Sequence, residues 1–297
     1  MELKDMMRKL DEKFANGEVS EETYKEIKLR YESEAQAGDD SRKGKSPSGA
    51  KGGGERAPVI RVSGCSDHPG DMFAVKVEVS GASDVGGDVD AEEVEISGAC
   101  DVAGSVKASK SFHASGSCDI EGNVESPDIQ ISGACDIEGS VSGDAMRVSG
   151  ASDITGDVNV GKCVLSGAVD IRGTIKAREL KFSGASEMKD IEAETVEGRG
   201  LFVFGKMTAK KVSLRLVDLN HAESVEADEI EIKLHRDDGR LKVKKLVAKG
   251  RLDIDGVIAE EVSGGEVVIG PHCRIGLVKG GKVEVDPKAK VDKVAKL

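Results

Sequence analysis

The sequence predicts an all-β fold, a parallel β-helix, on three observations. The first is a repeat. Ser-Gly-Ala-Cys-Asp, beginning at Ser132, recurs with small substitutions from Ser80, Ser97, Ser115, Ser149, Ser166 and Ser183, after a degenerate copy at Ser63. Successive starts lie 17 residues apart, apart from one step of 18 between Ser97 and Ser115. A fixed period in this range marks a solenoid, in which each unit buries its apolar face only against its neighbours. The second is alternation: Cys135/Ile137 and Met146/Val148 stand two apart, the period of an extended chain with one face buried. Gly133, Gly139 and Gly143 punctuate the same unit too often for a helix. The third is composition: 37 Gly, no Trp, two Tyr and six Phe suit a narrow tube filled by Val, Ile, Ala, Ser and Cys.

Three short strands per turn is the natural division, giving a triangular cross-section. Turns stacked at an inter-strand spacing of about 4.8 Å turn every column of the repeat into a ladder of like residues. From Val59 to Val294 there is room for about 14 turns and a rod of roughly 60 Å. Ile96, Val102, Ile131, Ile137, Val141, Ile154 and Ile171 are the expected inward residues, and Gly98, Gly116, Gly133, Gly150 and Gly167 the expected turn glycines. Cys100, Cys118 and Cys135 share a column with Ser83, Ser152, Val169 and Ser186, which asks for small volume and predicts buried free thiols. Reduced cysteines fit a cytoplasmic protein.

Before the repeats, residues 1–35 read as a small helical hairpin. Leu3, Met6, Met7, Leu10 and Phe14 keep helical spacing, Asn16-Gly17 breaks the run, and Ser20 can cap a second helix carrying Tyr24, Ile27 and Tyr31. The first helix is too short and too charged to span a membrane, and no signal peptide is expected. Residues 36–58 are Gly, Ser, Lys and Asp without apolar periodicity and predict a flexible linker, with the β-helix occupying 59–297. Beyond Gly198 the pattern loosens: Phe202 and Phe204 stand where earlier turns carry smaller residues, and His235–Arg240 predicts a turn insertion. The last segment, from Gly265, regains solenoid character.

Two resemblances follow from these motifs. The hairpin FANGEVSEETYKEIKLRY is similar to the SHOCT-type hairpins at the ends of many prokaryotic proteins, which implies an oligomerisation or docking role; a plain solubilising cap is the alternative. The tandem SGAxDIxGxV units, the polar leader and the ending CRIGLVKGGKVEVDPKAKV resemble the bactofilin family over residues 59–297. That resemblance implies a right-handed triangular β-helix of a polymer-forming cytoskeletal protein that assembles end to end without nucleotide. The chain departs from the family pattern in its longer β-helix, its helical hairpin and its irregular second half.

Charge and side-chain chemistry narrow the function. Residues 59–204 hold 12 Lys+Arg against 26 Asp+Glu, whereas 205–297 hold 19 against 16, with Arg240, Lys242, Lys244, Lys245, Lys249 and Arg251 clustered. The acidic balance repels a phosphate backbone, and no basic-aromatic interleaving is present, so nucleic acid is not an expected partner. Asp84, Asp101, Asp119, Asp136, Asp153, Asp170 and Glu187 predict an acidic ladder along one edge. Each Asp is expected to accept hydrogen bonds from its own turn; the paired-glycine turn of calcium-binding repeats is missing. No Cys-x-x-Cys or clustered His indicates a metal site, and no cofactor is expected. His272, in VIGPHCRIG, resembles the hexapeptide of left-handed β-helix acyltransferases; a solvent-facing corner histidine is the blander reading, and no catalytic residue is assigned.

The expected function is a structural, non-enzymatic cytoplasmic scaffold that self-associates through the β-helix termini. Val59, Ile60, Val283, Val285 and Val291 are the candidate end-face residues, because a β-helix ends in unpaired strand edges. The alternative is a β-solenoid binding or regulatory module, adhesin-like, acting as a monomer or small oligomer through its acidic face or its helical hairpin, which could hold a protein partner.

Overall fold

The computed structural model describes residues 56–65 and 67–296, so the helical hairpin at 1–35 and almost all of the linker at 36–58 lie outside the described residues. Fifteen strands form one sheet. They are β1 (Ala57–Gly64), β2 (Met72–Ala82), β3 (Val89–Val102), β4 (Val106–Ile120), β5 (Val124–Glu125), β6 (Asp128–Ile137), β7 (Val141–Ile154), β8 (Val158–Thr208), β9 (Lys211–Leu216), β10 (Leu219–Ala227), β11 (Glu229–Leu234), β12 (Arg240–Ile254), β13 (Val257–Ile269), β14 (Arg274–Val285) and β15 (Lys290–Lys296). Every pairing between strands is parallel. The chain is therefore a parallel β-solenoid. Its first strand begins at Ala57, ahead of the expected start at Val59, because Ala57 already pairs with Ala74.

The register is that of the repeat. Ser80 pairs with Ser97, Gly81 with Gly98 and Ala82 with Ala99, and the same alignment joins Ser132 to Ser149 and Asp136 to Asp153. The step of 18 is absorbed by a register shift between Ala91 and Glu93, so that Glu93 faces Ser111 while Ser97 still faces Ser115. After Thr208 the rungs change length. Thr195 lies opposite Lys211 in a short rung, whereas Leu219 lies opposite Arg240 in a long one. The long rung holds the insertion expected at His235–Arg240, where Leu216 O accepts from the backbone N–H groups of His235 (2.8 Å) and Arg236 (3.3 Å).

Inward positions carry the core. Ile96, Val102, Ile131, Ile137, Val141, Ile154 and Ile171 are all buried, and so are Cys100, Cys118, Cys135, Ser83, Ser152, Val169 and Ser186 in the small-residue column. The bulky residues past Lys181 are fitted by local compensation. The Phe182 ring lies where a side chain on Gly198 would sit. Phe182 meets Phe202 edge to face at 5.3 Å, and Phe202 stacks on Phe204 at 5.7 Å. Gly98, Gly116, Gly133, Gly150 and Gly167 have φ between 110° and 130°, in the left-handed region that favours glycine. A Cβ at any of them would run into the carbonyl oxygen of the glycine one rung below.

A second column, which sequence reasoning passed over, closes another corner. Asp71 Oδ1 accepts from Asp88 N (2.9 Å), Asp88 Oδ1 from Ser105 N (2.7 Å) and Ser105 Oγ from Asn123 N (3.1 Å). The series continues with Asn123 Oδ1 to Ser140 N (2.8 Å), Ser140 Oγ to Asp157 N (3.2 Å) and Asp157 Oδ1 to Thr174 N (2.7 Å). Each side chain satisfies a corner N–H of the next rung that the strand ladder leaves free. Its signal in the sequence is Gly-[Asp/Ser/Asn/Thr]-[Val/Ile/Met], once per turn.

Candidate assembly surfaces

The solenoid has two ends, and the candidate residues lie there. β1 carries Val59, exposed, and Ile60, half-buried, and among the described residues it pairs with β2 alone. At the other end Val283 and Val291 are half-buried and Val285 is exposed. Val283 and Val285 sit above Val267 and Ile269, and Val291 above Ile275. β15 pairs with β14 alone among the described residues. Each terminal strand is therefore paired on one side only among the described residues, the arrangement of a sheet edge.

Exposed large apolar side chains collect in three places. Val59, Phe73 and Val75 lie in the first two rungs, Val285 and Val294 in the last two, and Leu201, Val203 and Leu219 form one patch between them. The sequence reading missed Phe73, Val75 and Val294. Phe73 is covered on one side by the Arg56 guanidinium, 4.8 Å from the ring centre, which in turn bonds Asp90 at 3.0 Å. Val294 continues the inward column of Val278, and with no rung above it among the described residues it stays 54% exposed.

Between the ends, ion pairs run from rung to rung. Lys76 lies 2.9 Å from Glu78 and 3.0 Å from Glu95, and Lys181 lies 3.1 Å from Glu179 and 3.0 Å from Glu197. Near the C-terminal end Lys282 bridges Glu266 (3.0 Å) and Glu284 (2.8 Å). The hydrogen bond from Lys76, helped by Arg61, holds the Glu78 carboxyl below its ordinary range, and the bonds Lys181 donates to Glu197 and Glu179 raise Lys181.

The acidic ladder is placed as expected but held differently. Asp84, Asp101, Asp119, Asp136 and Asp153 are exposed, on rungs directly stacked in register. None of these carboxylates accepts a hydrogen bond from its own turn; backbone N–H groups of the next rung are accepted instead by Asp71, Asp88, Asp157, Asp190 and Asp255. The physical reason is that Asp101, Asp119, Asp136 and Asp153 lie within strands, one residue from their ends, where the N–H groups are already spent on the parallel ladder. Partial burial, with the charges of Asp101 and Asp136, raises the Asp119 carboxyl. No cluster of His, Cys, Asp and Glu able to hold a metal ion occurs among the described residues.

The thiols are built into the core. Cys100, Cys118, Cys135, Cys163 and Cys273 are free and buried, while Cys65 is exposed. Burial pushes Cys100 and Cys163 to about 12 and Cys273 to about 11. The hydrogen bond with Cys135, then burial, raises Cys118 further. Such thiols are not nucleophiles. His272 stands at an exposed corner with Nδ1 3.1 Å from Asp255 Oδ1, and its own N–H donates to the same oxygen at 3.0 Å. Asp255 thus repeats the corner device of Asp157. The neighbouring Cys273 thiol turns inward to Ile254 O at 3.6 Å, away from the exposed imidazole.

Among the described residues no helix is long and apolar enough to cross a membrane. No curated protein and no solved structure gives a significant match to this chain. Residues 51–142 match the family model described as bactofilin, polymer-forming cytoskeletal, and this stretch holds the first well-formed copies of the 17-residue repeat.

Proposed function

We propose that the chain is a structural, non-enzymatic scaffold protein that polymerises end to end through the terminal rungs of its β-solenoid, without nucleotide, in the cytoplasm. The observation that carries this reading is that β1 and β15 are each paired on one side only among the described residues, with Ile60 half-buried and Val285 and Val294 exposed on columns that are inward in the neighbouring rung. Stacking β15 of one copy on β1 of the next would continue the ladder and cover the inward-column residues Ile60, Val285 and Val294. The match of residues 51–142 to a polymer-forming cytoskeletal family supports it. The family resemblance adds a right-handed, triangular section, and the hairpin at 1–35 is a candidate docking element for a protein partner.

Negative-stain electron microscopy of the full chain over a range of salt concentrations tests the proposal. Filaments are expected, and Val285→Asp with Val294→Asp should reduce them to single rods. Dispersed wild-type rods under every condition would refute end-to-end assembly and favour the binding module.

A further inference from the structure

One face of the solenoid carries charges that the fold leaves unused. Its outward column runs Asp84, Asp101, Asp119, Asp136, Asp153 and Asp170. Glu187 and Val203 follow it, each three residues past a glycine stacked on the glycine below, Gly184 on Gly167 and Gly200 on Gly184. The same column then continues as His221, Lys242, Ile258, Arg274 and Lys290. It is acidic below Val203 and basic above it. Neither the carboxylates nor His221, Lys242, Arg274 and Lys290 make a side-chain ion pair within the described residues. Nearby charges off this column do pair, Lys244 with Glu223 at 3.3 Å and Lys279 with Glu261 at 3.0 Å.

At the change of sign lies the exposed apolar patch of Leu201, Val203 and Leu219. The column beside the carboxylates is alanine, at 134, 151, 168 and 185, so the acidic half is low enough for another surface to approach. We infer that this face binds the same face of a second copy, antiparallel, about a two-fold axis that runs along the strand direction at the level of Val203. That rotation sets Glu187 over the partner copy's histidine at 221. By the same operation Asp170 meets the lysine at 242, Asp136 the arginine at 274 and Asp119 the lysine at 290, each pair occurring twice by symmetry. The apolar patch packs on itself in the middle. Two sheets packed face to face stand about 10 Å apart, room for a carboxylate and a basic side chain to meet. The overlap spans about eleven rungs, roughly 50 Å by 10 Å, or on the order of 1,000 Å² over both copies. That is a small interface, and its affinity should rest on charge and fall with salt.

The pairing is side by side and does not depend on end-to-end assembly. Its test uses the full chain with Cys65→Ser, which removes the exposed thiol among the described residues, carrying either Asp136→Cys or Arg274→Cys. At about 0.1 M salt, a mixture of the two single variants treated with a short bis-maleimide should give the mixed cross-linked pair, and neither variant alone should cross-link. At about 1 M salt the mixed product should fall at least tenfold. Lys242→Glu with Arg274→Glu in the Asp136→Cys partner should remove it equally, and the exchange Asp170→Lys with Lys242→Asp, made in both variants, should retain it. No mixed product at low salt, or Asp136→Cys cross-linking to itself, overturns the inference. End-to-end filaments that form without the mixed product would uphold the proposed function and reject lateral pairing.

Discussion

Residues 56–204 and 205–296 are one solenoid built in two ways. The first part repeats a single small-residue rung, with glycines stacked at one corner, short polar side chains bonded to the next rung at another, and thiols and hydroxyls in the core. The second varies its rung length and fills the tube with Leu214, Leu216, Leu241, Leu246 and Leu252, all fully buried. Regular backbone geometry holds the first part; bulk and individually placed polar groups hold the second. A defect in the first should therefore spread along columns, whereas a defect in the second should stay local.

The largest effect should come from a charge in the regular core. Ile137 is 1% exposed and stacked between Ile120 and Ile154. Ile137→Asp should cost about 4 kcal/mol or more and open several neighbouring rungs. Hydrogen exchange should show lost protection around residues 120–154 while the leucine-filled rungs stay protected. Full protection and unchanged melting would reject the inward placement.

Next comes the corner. Gly150→Ala places a Cβ at φ 130° against the backbone carbonyl and amide of Gly133, which cannot swing aside as a side chain could. A loss of about 3 kcal/mol is expected. Gly250→Ala, in the second part, meets only Asp228 O at 3.2 Å and has no left-handed φ, so about 1 kcal/mol or less is expected. Equal losses in denaturant unfolding would break the distinction between the two parts.

Asn220 shows how the second part places single polar groups. It is fully buried at a position that falls in the thiol column, where Oδ1 accepts from Phe202 N at 2.7 Å and Nδ2 donates to Asp218 O at 2.8 Å and Arg240 O at 3.2 Å. Asn220→Leu keeps the branched outline of the side chain and strips all three partners, and should cost about 2 kcal/mol. A neutral result would mean that water reaches the column at that rung.

How much of this the sequence disclosed follows from the same contrast. Where one rung is copied, the inward residues, the turn glycines and the thiol column could be read from the period alone, because identical environments select identical residues. The corner ladder escaped notice because Asp, Ser, Asn and Thr share an acceptor atom but not a name. Asn220 and the pairing of Phe182 with Gly198 were not legible, since each is a single solution fitted to one rung. Val294 was missed at the end face for a different reason: its exposure depends on the absence of a further rung, which alternation does not encode. The sign change along the Asp84 column was visible only as a charge difference between halves, because rung lengths after Thr208 vary and hide which basic residues continue the column.

The smallest effect concerns the carboxylates of that column. Partial burial and the charges of Asp101 and Asp136 raise Asp119 above its ordinary value of 3.8, so the fold prefers this group protonated. Between the ordinary and the raised value the native state holds more protons than the unfolded chain, and stability must fall as pH rises through that window. Asp119→Asn removes both the repulsion and the titration. Because the group is mostly exposed and screened, a gain of only about a few tenths of a kcal/mol is expected at neutral pH. The advantage of the variant should shrink as pH falls through the raised value and level off below 3.8. Glu78 acts with the opposite sign: its carboxyl is lowered by Lys76 and Arg61, so the stability it lends is present at neutral pH and lost on acidification. Measured against pH, Asp119→Asn and Glu78→Gln should therefore diverge in opposite directions from the wild type. The contrast applies to dilute protein, where copies stand apart; if the two curves ran parallel there, the ladder of carboxylates would carry no repulsion.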